Sequence, residues 1–381
     1  MQLLPTTSTS NQKIRFLLLA FAILKLMYIV QTALSPYPEY NRLPLKQEGY
    51  ALAVFSNNDS GWYEHIADVG YPTQGGIDNP DNAVFAFFPM YPMLGYGLKN
   101  VLGISPRAAL FCMSTLFSYL SLLMLFWFVR EYTQNESIAF LSVLVFMLLP
   151  HNFYVSMIYS ESTYLFFLLL SFYTILKRWW ILFTLATSVL ILTRINASFS
   201  MLSILVFYLG KQEVKAKWYH PKTYFVFVPM LLALSSYLLF MKLHFGSFFA
   251  FKEISEKYWN GQPATFLNHA QSILQHLNSK EFFESYNLVY AFLFLSISIF
   301  FLVRKQYAFF LLTFLNILLP LYEGSVLSQN RFISVLFPFS FLLATVLKDK
   351  PRSFQFAICI FLLGYHLWTF QFWIINDPMA Y

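Results

Sequence analysis

The feature that most constrains this chain is a series of apolar runs, each about as long as a lipid bilayer is thick. A helix needs roughly 20 apolar residues to cross the hydrocarbon core of a membrane, and such runs recur between positions 13 and 374. Hydrophobic residues make up 58% of the 381 residues, charged residues only 11%, and the mean hydropathy is +0.55. This composition excludes a soluble globular enzyme and a disordered chain. The sequence predicts an all-α polytopic membrane protein.

The net charge of +7 arises from short basic clusters between the apolar runs. Cytoplasmic loops of membrane proteins carry such an excess of Lys and Arg. A nucleic-acid site would instead interleave basic and stacking aromatic residues along one groove, so we expect no nucleic-acid partner. The two cysteines, Cys112 and Cys359, lie within apolar runs. They exclude a disulfide framework and a cysteine-rich metal site.

Placing the basic clusters in the cytoplasm predicts eleven spans, with the N-terminus inside and the C-terminus outside. The predicted spans are 13–34, 107–130, 137–149, 161–176, 179–193, 198–210, 223–243, 289–303, 306–321, 332–347 and 353–374. An alternative topology makes 84–101 a span and places 150–160 inside.

The predicted topology divides the chain into four parts. These are a cytoplasmic tail at 1–12, a membrane module at 13–243 that includes a helical first outer segment at 35–106, a second outer segment at 244–288, and C-terminal spans at 289–381.

Two of the predicted hairpins contain short spans. The span 137–149 provides about 20 Å of helix against an apolar core of about 30 Å. The hairpin tips at 150–160 and 194–197 are therefore expected to lie below the outer surface. Non-helical backbone at that depth must be enclosed by protein or line a cavity, so we expect a cleft that opens outward.

Several polar residues near the predicted outer ends of the spans have two interpretations. Asp59 precedes a predicted short helix, 62–69, and is either its N-cap or a functional carboxylate. Glu161 is either a favourable first-turn acid or an ionisable residue that marks a site. Arg194 needs a partner, either Glu161 or a phosphate, and the same two interpretations apply to Arg331. Glu323 is the third carboxylate expected on this face.

The segment Phe87-Phe88-Pro89 lies in an aromatic, proline-containing stretch. Two prolines three residues apart break or kink a helix. The stretch is either a helix in the membrane interface or a rigid apolar platform for a lipid chain.

These elements, in this order, resemble the GPI mannosyltransferase 2 (PIG-V type) family of GT-C glycosyltransferases. The first outer segment matches the family pattern at Asp59, Tyr63, Ile66, Ala67, Gly70 and Tyr71, and then at the Ala-Phe-Phe-Pro-x-aromatic-Pro element 86–92. The later matches are Tyr159-Ser160-Glu161, Thr193-Arg194 with Asn196, a Phe-Gly to Trp stretch at 245–259, and Asn330-Arg331-Phe332. The match spans residues 16–345.

Two departures accompany the resemblance. Asn57-Asn58 stands where the family usually has Trp before the Asp, and Gly246-Ser247-Phe248 replaces a Gly-Asp-Pro element. They leave the catalytic assignment in place and bear on the identity of the acceptor. The shorter loops indicate a bacterial relative, and bacteria make no GPI anchor.

The resemblance implies a GT-C fold and transfer of mannose from a polyprenyl- or dolichyl-phosphate sugar to a glycan or glycolipid acceptor. Asp59 would be the base of an inverting single displacement, and Arg331 and Arg194 would bind the phosphate. The other implied roles are sugar binding by Glu161, Tyr159, Tyr63 and Asn196, and lipid guidance by Phe87, Phe88 and Pro89.

No cofactor is required by this mechanism. Metal dependence stays open, because Asp59 is not part of an Asp-x-Asp motif, and so does the need for a partner subunit. The expected location is a bacterial inner membrane, or the endoplasmic reticulum in a eukaryote, with the site on the outer or lumenal face. Two alternatives are a lipid or sugar transporter and another membrane transferase, for example an acyltransferase that uses His151 or His366.

Overall fold

The computed structural model describes residues 10–35, 50–72, 76–215, 217–260, 282–322 and 328–375. Across these ranges the regular structure is helical and contains no strand. The α-helices are α1 (Ser10–Leu34), α2 (Tyr50–Ala53), α3 (Ser60–Val69), α4 (Met90–Leu102), α5 (Pro106–Thr133), α6 (Glu136–Leu148), α7 (Glu161–Lys177), α8 (Trp180–Ile191), α9 (Ala197–Leu209), α10 (Gln212–Lys215), α11 (Val228–Phe245), α12 (Ala250–Ser255), α13 (Phe282–Val303), α14 (Tyr307–Tyr322), α15 (Gln329–Ser334), α16 (Pro338–Leu347) and α17 (Arg352–Ile374). The predicted all-α class is confirmed.

Five stretches of helix in the described ranges are long and apolar enough to cross a bilayer. They are Ser10–Leu34, Pro106–Thr133, Pro221–Phe245, Tyr286–Val303 and Arg352–Ile374. Five further apolar helices are shorter: Glu136–Leu148, Trp180–Ile191, Ala197–Leu209, Tyr307–Leu318 and Pro338–Leu347. By length and composition these helices are compatible with an integral membrane protein, whereas the count of eleven spans stays a prediction.

One predicted span is not a single helix. The range 332–347 is divided, because α15 ends at Ser334 and α16 begins at Pro338. Proline has no backbone N–H and is favoured in the first turn of a helix, so a new helix starts there. The break separates Arg331 from the following helix.

Tight polar turns join the helices into antiparallel hairpins. Asn135 accepts a hydrogen bond from the backbone of Ile138 and caps α6, and Arg178 ends α7 with a left-handed φ of 58°. Helix α5 packs against α6 and α7, α9 against α14, and α6 against α16. Between them lies an aromatic core made of Phe128, Phe172, Phe207, Phe309 and Phe337.

The first outer segment supports the predicted helix at 62–69, which is part of α3. The range 84–101 is not one helix, because a 3-10 helix ends at Ala86 and α4 begins at Met90. The alternative topology, which makes that range a span, therefore has no continuous helix to use.

The predicted tip 150–160 lies inside the protein. Residues 151–160 are all buried, and part of the tip forms a 3-10 helix, Asn152–Ser156. The N–H of Ile158 donates to the carbonyl of Phe55 at 2.8 Å, which joins the tip to the segment before α3. This agrees with the expectation that non-helical backbone at this depth is enclosed by protein.

Candidate functional site

Four charged residues from four separate elements meet in one place. Asp59 precedes α3, Glu161 begins α7, Arg194 lies between α8 and α9, and Arg331 belongs to α15. We call these four residues the charged cluster. Arg331 bridges both carboxylates, with Nη1 2.5 Å from Asp59 Oδ2 and Nε 3.0 Å from Glu161 Oε1. Arg194 Nη1 forms an ion pair with the same Glu161 oxygen.

Glu161 is the enclosed member of the cluster. Its side chain is 0% exposed, and its formal charge is balanced by two arginines that are themselves nearly buried. Within the described residues, Glu161 Oε2 has no hydrogen-bond partner. The pairing of Arg194 with Glu161 is the first of the two partners predicted for this arginine. A carboxylate so placed holds arginines in position and has no open face for a substrate.

Asp59 lies at the edge of the cluster. It occupies the N-cap position of α3, but its side chain forms no cap hydrogen bond, so the interpretation of Asp59 as a cap is wrong. The carboxylate turns to Arg331 instead, and 23% of the side chain is exposed. Asp59 is therefore the carboxylate of the cluster that an incoming molecule can reach.

The turn before α3 explains how Asp59 is positioned. Asn58 has a left-handed φ of 43°, a conformation that Asn tolerates better than most residues. The N–H of Asn58 donates to Asn57 Oδ1, and the N–H of Asn57 donates to Ser60 Oγ. The pair Asn57-Asn58, which departs from the family pattern, thus builds the turn that presents Asp59.

Aromatic rings cover both arginines. The guanidinium of Arg331 lies 5.0 Å from the ring centre of Tyr159 and 5.6 Å from that of Phe332. The guanidinium of Arg194 lies 5.0 Å from the ring centre of Phe332 as well. Stacking on an aromatic ring restrains the planar guanidinium group and leaves its edge free for bidentate contacts. Two nitrogens of the Arg331 guanidinium, Nη1 and Nε, face the two carboxylates.

The predicted tyrosines support the cluster from behind. Tyr63 Oη and Ser160 Oγ form a hydrogen bond of 3.0 Å, next to Glu161 in sequence. Tyr159 Oη donates to the carbonyl of Asn57 at 3.0 Å. Burial, together with the nearby Glu161 carboxylate, raises the pKa of Tyr63 to about 12, so its hydroxyl stays protonated at neutral pH.

Asn196 does not join the cluster through a side-chain hydrogen bond in the described structure. Its side chain is nearly buried before α9, and its carbonyl accepts the hydroxyl of Ser200. Its predicted contact with substrate stays a prediction. Glu323 lies outside the described residues.

Phe87, Phe88 and the half-buried Pro89 form an internal wall, and their predicted role as a platform for a lipid chain stays a prediction. Phe87 and Phe88 are 8% and 6% exposed. Phe87 packs edge-on to Tyr63, and Phe88 contacts Tyr237 of α11. After Pro89, the N–H of Met90 donates to the carbonyl of Leu192, two residues before Arg194. The wall therefore connects α3 to the turn that carries Arg194.

The sequence analysis missed an ion pair beside the cluster. Glu64 of α3 is bound by the Nε and Nη2 atoms of Arg107 at the start of α5, and Ser56 Oγ donates to it at 2.6 Å. This pair joins α3 to α5. A carboxylate five residues after Asp59 was the available signal, but nothing in the sequence names its partner.

The two histidines proposed for an alternative chemistry have structural contacts. His366 is bound between Tyr28 Oη and the carbonyl of Leu149, at 2.6 and 2.7 Å. His151 pairs with Tyr286 Oη at 2.9 Å. Both are buried within the helices. In the described part of the chain, no group of three His, Cys, Asp or Glu residues is placed to hold a metal ion.

The charged cluster lies at the ends of the helices opposite the basic turns. Helix α7 begins at Glu161 and ends at Lys177, and its 17 residues correspond to about 25 Å. Hydroxyls of α5 reach the same level, since Ser121 donates to the carbonyl of Ser162. The cluster is therefore enclosed by helices and does not sit on a loop above them.

Fold and site together define an all-α protein of membrane type with a buried, charge-balanced ionic cluster at one end of its helices. Comparison adds no relative to this description: no protein-family model matches the sequence, and no curated protein matches it significantly.

Proposed function

We propose that the chain is a membrane glycosyltransferase of the GT-C type, similar to the GPI mannosyltransferase 2 family. It would move a hexose, mannose by the resemblance, from a polyprenyl- or dolichyl-phosphate sugar to a glycan or glycolipid acceptor. The observation that carries the proposal is the charged cluster, which joins four of the family-like elements, those of Asp59, Glu161, Arg194 and Arg331.

The exposures of the two carboxylates favour Asp59 as the base. The side chain of Glu161 is 0% exposed, whereas that of Asp59 is 23% exposed. A general base must come within hydrogen-bond reach of the proton that it accepts. Asp59 meets this condition at the edge of the cluster, and Glu161 serves to hold the arginines.

The proposed step is a single displacement. The acceptor oxygen forms a bond to the anomeric carbon as the bond from that carbon to the phosphate oxygen breaks. The bonding electron pair leaves with the phosphate, which becomes a polyprenyl-phosphate monoester, and the acceptor proton passes to Asp59. One carboxylate suffices for inversion, whereas a retaining double displacement uses two about 5 Å apart.

The arginines supply the positive charge that the leaving phosphate needs. Arg331 is nearly buried, and its guanidinium group stacks between Tyr159 and Phe332 beside both carboxylates. Charge-assisted contacts from arginine to phosphate are among the strongest hydrogen bonds in proteins. Arg331 also bonds to Asp59, so a phosphate that binds Arg331 would release the carboxylate for the acceptor.

Positive-inside topology supports an outer or lumenal location for this site. The turns around Arg130, Lys177 and Lys348 lie at the opposite helix ends, and such turns are cytoplasmic by the charge rule. The proposed location is a bacterial inner membrane, or the endoplasmic reticulum in a eukaryote.

A transfer assay tests the function. Membranes that contain the protein but lack polyprenyl-phosphate mannose synthase are given either labelled polyprenyl-phosphate mannose or labelled GDP-mannose, together with a membrane extract as acceptor source. We expect label in a glycan or glycolipid from the lipid donor only. Label from GDP-mannose, or substrate flux across vesicles without transfer, would contradict the proposal.

A further inference from the structure

A lysine in the first long apolar helix has no carboxylate partner. Lys25 lies in α1, and its side chain is 8% exposed. Its Nζ donates to Thr115 Oγ1 of α5 at 2.9 Å. No carboxylate of the described residues comes within ion-pairing distance, although the buried Arg194 and Arg331 both have one. An ammonium group in an apolar span is costly and usually marks a site.

Three aromatic rings surround this ammonium group. Its nitrogen lies 5.5 Å from the ring centre of Phe21, 5.6 Å from Phe55 and 5.3 Å from Phe111. Cation–π contacts of this kind favour the charged form of a lysine. They supply no negative charge, so a charged Lys25 at the seam between α1 and α5 has no counter-charge among the described residues.

Exposed and partly exposed residues flank the buried Lys25 on both helices. Phe111 and Thr115 are partly exposed, and Cys112 on the same turn of α5 is exposed. On α1, the neighbouring residues Ile23 and Leu26 are 51% and 58% exposed. If α1 and α5 span a bilayer, this surface contacts lipid.

Lys25 lies closer than the charged cluster does to the helix ends at Leu34 and Pro106. Lys25 is nine residues (34 − 25) from Leu34 at the end of α1, and Thr115 is nine residues (115 − 106) from Pro106 at the start of α5. Either distance is about 14 Å of helix. Ser121, at the level of the cluster, lies further along α5. The seam therefore lies between the cluster and the helix ends on its side.

We propose that the seam between α1 and α5 binds the phosphate group of a membrane lipid. Lys25 would be the counter-ion, and Thr115, whose hydroxyl oxygen accepts from Lys25, would donate its own proton to a phosphate oxygen. Phosphate is the anion that a bilayer presents at its surface, and a lipid reaches the seam laterally. The inference does not depend on the proposed transferase activity, since any phosphate-bearing lipid satisfies it.

Lipid-dependent stabilisation of the full chain tests this site. The purified protein is placed in phosphatidylcholine nanodiscs that contain increasing amounts of polyprenyl phosphate, phosphatidic acid or neutral diacylglycerol. A ligand that binds only the folded state raises the unfolding temperature according to its affinity. We expect both phosphate lipids, but not diacylglycerol, to stabilise the wild type, and the tighter of the two identifies the source of the phosphate.

Three variants sharpen the test. Lys25→Met keeps the length of the side chain and should weaken phosphate-lipid binding about 10- to 100-fold, the loss typical of a hydrogen bond to a charged group. Lys25→Arg should retain most of the binding. The matched control is Lys177→Met, which removes a lysine paired with Glu131 at the far end of α7 and should leave lipid binding unchanged.

Wild-type binding by Lys25→Met, or equal stabilisation by diacylglycerol, would overturn the proposal. If Lys25→Met fails to fold, Thr115→Val takes its place, because it removes the hydroxyl that accepts from Lys25 and leaves the charged cluster intact. Binding of phosphate lipids weakened more than tenfold in Thr115→Val supports the proposal, and wild-type binding by Thr115→Val overturns it. The transfer assay is separate, so failure of one proposal does not imply failure of the other.

Discussion

The two carboxylates of the charged cluster are bound to the same arginine but have different surroundings. Glu161 is fully enclosed and faces two guanidinium groups, whereas Asp59 faces one and is partly exposed. Burying a carboxylate is costly, and removing the partner of a buried ion leaves an uncompensated charge. One cluster thus contains a fully buried carboxylate and a partly exposed one, and the partly exposed one is the base of the proposed reaction.

The largest effect on stability is expected at the enclosed carboxylate. Glu161→Gln leaves Arg194 and Arg331 without their shared negative charge, and breaking a buried pair costs about 3–5 kcal/mol. The free energy of unfolding in detergent, followed by denaturant titration, measures this loss.

A surface carboxylate provides the control for that experiment. Glu131→Gln removes the partner of Lys177, and Glu131 is 34% exposed, so the expected loss is below about 1 kcal/mol. Similar losses in Glu161→Gln and Glu131→Gln would remove the distinction between enclosed and exposed carboxylates.

A smaller effect is expected when the guanidinium group of Arg331 is replaced by an ammonium group. Arg331→Lys keeps the charge but cannot reach Asp59 and Glu161 together. We expect the rate of the proposed sugar transfer to fall about 10- to 100-fold, because one hydrogen bond to a charged group is lost. Initial rates at saturating donor measure it.

The matched change outside the cluster is Arg107→Lys, since Arg107 binds Glu64 through the same two-nitrogen geometry. It should lower stability modestly and leave the chemical step close to normal. Equal rates for Arg331→Lys and wild type would exclude Arg331 from the site.

The smallest effect concerns the tyrosine behind the cluster. Tyr63→Phe removes the hydrogen bond to Ser160 and should cost about 1 kcal/mol. Burial raises the pKa of Tyr63 to about 12, so the folded state holds this proton more tightly than the unfolded state. The resulting stabilisation is complete below about pH 10 and is lost as the pH rises from there towards 12.

Alkaline unfolding of the two proteins measures this contribution. The wild type should lose more stability than Tyr63→Phe between about pH 10 and pH 12. Tyr224→Phe is a control, because it removes a tyrosine hydrogen bond to the carbonyl of Trp218, which is not part of the charged cluster. Superimposable pH profiles for wild type and Tyr63→Phe would contradict the assignment of that pKa.

The positions of the helices could be predicted from the sequence to a large extent. Apolar runs separated by basic turns determine where helices start and end, so α5, α6 and α7 lie within a few residues of their predicted bounds. The break before Pro338 was not predicted, because both sides of it are apolar. Apolarity alone cannot distinguish one long helix from two short ones.

The candidate site could be predicted only as a set of residues. Glu161 was one of the two partners predicted for Arg194, because an isolated buried arginine is unfavourable. The contact of Arg331 with Asp59 joins residues 272 positions apart, and no local pattern specifies such a contact. The burial of Phe88 likewise depends on α11 and α12, which pack over it.

The central claim is that Asp59 is the reactive carboxylate, and one paired measurement tests it. Asp59→Asn keeps the shape of the side chain and is compared with Asp68→Asn, a change on the same helix at a residue that is 54% exposed and bound to Lys99. Transfer from labelled polyprenyl-phosphate mannose is measured in membranes with equal amounts of folded protein. The account predicts a loss of about 10²- to 10⁴-fold for Asp59→Asn and wild-type rates for Asp68→Asn. Normal turnover by Asp59→Asn would contradict the account.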